Sequence, residues 1–73
     1  MMNKKDFLKQ AYDIYDTCNM IVYCIDEITK LININYPNYI DDTQTIQDGF
    51  DKNILTHTEQ LEELMDIVNK ITK

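Results

Sequence analysis

A chain of 73 residues with thirteen acidic side chains, seven lysines, no arginine and a net charge of −6 is one domain at most. Such a charge argues against direct binding to the phosphate backbone of DNA or RNA and for attraction to basic protein surfaces. Below ~70–80 residues a core rarely suffices without a disulfide, a metal or a second chain, so one of these is expected.

Asn3 is a good N-cap for a first helix. From Phe7 onward, Ala11, Ile14, Cys18, Ile21, Ile25, Ile28 and Ile32 recur at alternating steps of four and three with none missed. This heptad seam predicts one helix over about 4–32, about 44 Å long at 1.5 Å per residue. Leu8, Tyr15 and Val22 widen the seam on one side, as suits a bundle better than a two-stranded coil. On such a helix Cys18 and Cys24 are turned by about 240° from one another and cannot pair. They read as two small hydrophobes in a reducing compartment. No apolar run follows Lys4 and Lys5 to make a secretory signal, and the charge-free apolar stretch over residues 17–25 is far short of a membrane span. A soluble, cytoplasmic protein without a membrane partner is expected.

Residues 33–41 read as a turn, because Asn33, Asn35 and Asn38 favour local side-chain bonding and Pro37 pushes Tyr36 out of the helical region. A second seam follows: Ile40, Thr43, Gln47, Phe50, Ile54, His57, Leu61, Leu64, Val68 and Ile71. Its phase holds across Gly49 and predicts a helix over about 42–72, with the glycine a weak point of about 1 kcal/mol. The rival reading breaks this helix near Gly49, where Asp48-Gly49 ends a short helix and Asp51 caps a third. Two long helices joined by a short turn predict an all-α antiparallel hairpin over residues 1–73. One hairpin covers only part of each stripe. Phe7, Ile14, Ile21, Ile28, Phe50, Leu61, Leu64 and Val68 are therefore expected to form a self-association seam, closing a homodimer into a four-helix bundle.

In outline such a hairpin resembles the secretion substrates of the WXG100 type. The absence of Trp and the position of Gly49, well past the turn, set this chain apart from that family.

The chemistry-bearing residues are few. His57 falls on the second seam, level in a hairpin with Thr17 and Cys18. A Cys–His site completed by Asp13 or Asp16 would lack the close ligand spacings of structural zinc, so His57 reads as a polar seam residue that fixes register. There is one Gly, no Ser, no phosphate loop and no enclosed carboxyl. No catalytic residue, metal or cofactor is assigned, and an enzyme is not expected.

Two surfaces remain. No base lies between Gln10 and Thr29, and no lysine between Asn53 and Asn69. Asp13, Asp16, Glu59, Glu62, Glu63 and Asp66 are expected to form an acidic face, shaped either by solvation or for a basic groove. Tyr12, Met20 and Tyr23 share a second face with Asp16, Asn19 and Glu27, of the composition that protein interfaces favour. The expected function is that of a small acidic, non-enzymatic binding protein that inhibits or regulates a larger, nucleic-acid-handling protein. Short acidic chains of this kind are similar in general character to anti-CRISPR inhibitors, and the AT-rich residue usage fits a phage or mobile-element origin. The alternative is a structural or secreted hairpin that assembles with itself or with a cognate helical partner.

Overall fold

The computed structural model describes residues 2–73. They form four α-helices: α1 (Lys4–Asp16), α2 (Ile21–Asn35), α3 (Ile40–Asp51) and α4 (His57–Thr72), with a 3₁₀ turn at Pro37–Tyr39 between α2 and α3. The all-α class is as expected. The two long helices are not what forms: the segment over 4–32 breaks at 17–20, and the segment over 42–72 breaks at 52–56.

Directions follow from a few contacts. The Met2 backbone N–H donates to Asn35 Oδ1 at 3.2 Å, which sets the start of α1 beside the end of α2. Buried Gln60, near the start of α4, donates from Nε2 to the Ile46 carbonyl at 3.1 Å, and Lys70 near its end lies over the Tyr39 ring. Thus α4 runs parallel to α2 and antiparallel to α1 and α3, and all three pack on it. Both broken segments turn at one end of the bundle, with the Pro37 turn at the other. The longest dimension is 34 Å and the radius of gyration is 11.4 Å. That radius matches the ~11 Å of a single compact domain of this length and not a pair of ~44 Å helices.

The core draws on every helix: Phe7 and Ala11 from α1; Cys24, Ile25, Ile28, Leu31 and Ile32 from α2; Ile46 from α3; Leu61, Leu64, Met65, Val68 and Ile71 from α4. Phe7 meets Tyr36 edge-on at 4.9 Å, closing the bundle at the Pro37 end. Of the eight residues assigned to the self-association seam, Phe7, Ile28, Leu61, Leu64 and Val68 are buried within the chain itself. Ile14 and Ile21 pack partly buried on the same core, and Phe50 is 38% exposed. A heptad phase records which residues want cover, and two short helices folded together supply that cover as a second chain would.

Cys18 and Cys24 form a disulfide with their Cα atoms 6.0 Å apart. This corrects the expectation that they cannot pair. That expectation assumed a continuous helix, and Cys18 lies in the connection between two. The disulfide is one of the three stabilisers that a chain this short was expected to need. Closing the ring from 18 to 24 restricts the unfolded chain by about 2 kcal/mol on a loop-entropy account.

The second segment is broken, as the rival reading had it, but past Gly49, which lies inside α3. A Cβ there would come within 2.6 Å of Leu55 Cδ1, so the glycine admits the Leu55 side chain against the helix. The helix ends two residues later and turns at Asn53, whose φ is 59°. The N–H groups of Asn53 and Ile54 donate back to the carbonyls of Phe50 and Gly49 at 3.0 and 2.8 Å, satisfying the open end. Thr56, not Asp51, caps the next helix, and it does so reciprocally with Glu59.

Candidate functional site

The surface that the fold builds most distinctly is the corner between α1 and α2. At the end of α1 the Thr17 N–H donates to the Asp13 carbonyl at 3.2 Å, and its hydroxyl donates to the same oxygen at 2.6 Å. The chain then swings out through Cys18, whose sulfur is tied back to Cys24, buried one turn into α2. Met20 stands at the N-cap of α2 in extended backbone, φ −128° and ψ 109°, with no side-chain cap. This swing turns Met20 and Tyr23 outward, 68% and 62% exposed, with Val22 beside them. Between the two helices lies an open groove of about 540 Å³, walled by Ile14, Met20, Tyr23 and Cys24, with Thr17, Asn19 and Glu27 as polar lining.

The corner is negative. Asp13, Asp16 and Asp26 are exposed and Glu27 is half-buried. Glu27 holds the Tyr23 hydroxyl proton above the ordinary tyrosine range, first by side-chain hydrogen bonding and then by its charge. The nearest base in sequence, Lys30, is paired with Asp26 at 3.0 Å, and that bond raises the affinity of its ammonium for its proton.

Of the expected aromatic face, Met20 and Tyr23 come together and Tyr12 does not join them. Tyr12 is half-buried on α1, where its hydroxyl accepts from Asn69 Nδ2 at 3.0 Å and so fastens α1 to α4. The expected acidic face divides. Asp13 and Asp16 sit on the last turn of α1. Glu63 and Asp66 line a separate shallow groove of about 330 Å³ between α3 and α4, joined there by Asp42 and by Lys70. Glu62 is exposed on α4. Glu59 is engaged in capping: the Thr56 N–H donates to its Oε1 at 2.9 Å, which lowers its proton affinity below that of an ordinary glutamate. Asp42 was assigned to neither expected surface, and its place in the α3–α4 groove follows only from the fold. Nothing in a two-helix reading could have brought α3 and α4 side by side.

His57 stacks on Phe50, ring centres 3.8 Å apart and planes within 8°. Its Nδ1 meets Gln60 Oε1 at 2.9 Å. Because the Gln60 amide nitrogen donates to Ile46, its oxygen is the acceptor, and His57 carries its hydrogen on Nδ1. Among the described residues no group of three His, Cys, Asp or Glu side chains converges as a metal site would require. No helix among them is long and apolar enough to cross a membrane.

Comparison with protein-family models, with characterised proteins and with solved structures finds no match to this chain.

Proposed function

We propose that this chain is a non-enzymatic binding protein that engages a basic, apolar segment of a larger protein through the α1–α2 corner. One observation carries the reading: Met20 and Tyr23 stand more than three-fifths exposed beside a groove, on a stretch from residue 10 to 29 with four acids and no base. Exposed Met and Tyr supply contact area at an interface centre, while the acids select a partner of opposite charge and speed its arrival. A protein surface that ordinarily holds nucleic acid has the matching charge, and occupying it would make this chain an inhibitor or regulator. Burial of five of the eight seam residues within one chain removes the original reason for a self-assembling hairpin, so the binding reading stands ahead of it.

The test is titration of ¹⁵N-labelled protein with a synthetic amphipathic leucine–lysine peptide, with a leucine–glutamate peptide as control. Shifts confined to residues around 14–27, weakening with added salt and reduced at least about tenfold by Met20→Ala with Tyr23→Ala, are expected. Shifts that map elsewhere, or equal response to both peptides, would overturn the reading.

A further inference from the structure

We propose that the Cys18–Cys24 disulfide is a redox latch: oxidised, it bends residues 4–35 into α1 and α2; reduced, it lets residues 17–20 become helical, joining the two helices and removing the groove. The consequence for binding rests on the function proposed above; the change of shape does not.

The bond and a continuous helix exclude one another. Residues six apart on a helix are separated by about 9 Å along the axis and about 240° around it. A disulfide needs Cα atoms within about 7 Å, and here they are 6.0 Å apart. Within residues 17–20 themselves little else fixes the bend; the rest of its support is the packing of α1 through Phe7 and Ala11. No Gly or Pro occurs between residues 3 and 36. Thr17 ends α1 at φ −101°, ψ 17°, without a left-handed cap, and α2 begins at Met20 with no capping side chain. The bond from the Thr17 hydroxyl to the carbonyl four residues back is one that a threonine makes equally well inside a helix. The apolar series from Phe7 to Ile32 keeps its phase straight through the corner.

Straightening carries a cost, since Phe7 and Ala11 would leave the core. The stripe so opened matches the same stripe on a second copy, which restores the cover. The thiol and disulfide states thus correspond to two shapes, populated in reducing and oxidising surroundings respectively.

Reduction balances as ordinary thiol–disulfide exchange. A dithiol reductant attacks as thiolate at Cys18, the half-buried partner. The S–S bond breaks, and Cys24 leaves and takes a proton. The second thiol of the reductant then displaces Cys18, which is protonated in turn. Two electrons and two protons reach the protein, and the reductant ends as its own disulfide.

The experiment compares the air-oxidised full chain with the same chain in excess dithiothreitol. Carbon chemical shifts at residues 17–20, thiol titration, mass in solution and affinity for the leucine–lysine peptide are measured on both. The expected result is no free thiol in the oxidised chain, and in the reduced chain helical shifts at 17–20, a doubled mass and at least tenfold weaker peptide binding. Two titratable thiols before reduction, or non-helical shifts at 17–20 after it, would overturn the latch. A peptide that binds both forms alike, or neither, removes the functional reading and leaves the latch to be decided by the carbon shifts. Should the reduced chain lose all structure, the variant carrying Thr17→Ala, Cys18→Ala, Asn19→Ala and Cys24→Ala must fold with an unbroken helix; retention of the bend in that variant overturns the proposal.

Discussion

Residues 17–20 and residues 52–56 both turn the chain at the same end of the bundle, yet they are made of different interactions. The second connection is specified by backbone and side chain at every step. Asn53 takes the left-handed conformation, two N–H groups return to the carbonyls of α3, Leu55 seats against Gly49, and Thr56 and Glu59 cap α4 reciprocally. The first has a single hydroxyl bond at the end of α1, no cap at the start of α2, and one covalent bond across it. A turn encoded by many weak local preferences persists under any redox condition, whereas the first turn has one covalent bond across it and otherwise relies on the packing of Phe7 and Ala11.

Five variants test this contrast. The largest effect is expected from Cys18→Ser with Cys24→Ser, which removes a ring closure worth about 2 kcal/mol and should give helical carbon shifts at 17–20 while residues 52–56 keep their turn; chemical denaturation and an NMR spectrum check both parts. Next, Asn53→Val places a β-branched side chain at φ 59° and should cost about 1–2 kcal/mol, whereas Asn53→Gly should cost nothing. Thr56→Ala should cost about 1 kcal/mol. It also carries a pH signature: the cap lowers the Glu59 pKa from its ordinary 4.5, so its contribution is present above that value and fades as pH falls through the lowered one. Acid melts of the Thr56 variant should lack that part of the decline. The smallest effect has the opposite sign. Met20→Ser supplies the missing cap to α2 and should raise thermal stability by about 0.5–1 kcal/mol, and no gain would mean that the corner is already satisfied.

Much of the core was readable from the spacing of apolar residues. Phe7, Ile28, Ile32, Leu64 and Val68, all fully buried, lie on the two heptad seams. The number of helices was not readable that way, because a seam keeps the same phase whether its helix is continuous or folded back at a four-residue corner. The α3–α4 connection did leave a signal: Thr56-x-x-Glu59 is a capping pair, overlooked beside the more familiar Asp48-Gly49. The α1–α2 connection left only Cys18 and Cys24, and the geometry used to exclude their pairing was that of the helix their pairing breaks. At the candidate site, Met20, Tyr23, Asn19 and Glu27 line one groove, although Asn19 and Met20 lie in the corner and not on the single helical face that placed them with Tyr12 and Asp16. The acidic residues were not, since their neighbours depend on how α3 and α4 lie.

The helix on which α1, α2 and α3 all pack is α4, and it follows the other three in the chain. During synthesis α1, α2 and α3 therefore emerge before the helix on which all three pack, and the complete core forms only once α4 has cleared the ribosome. Cys18 and Cys24 are exposed to the surrounding thiol pool throughout that wait, close enough in sequence to meet without any tertiary structure. The compartment in which translation occurs, before the bundle exists to protect either sulfur, thus sets which of the two shapes a newly made molecule first takes.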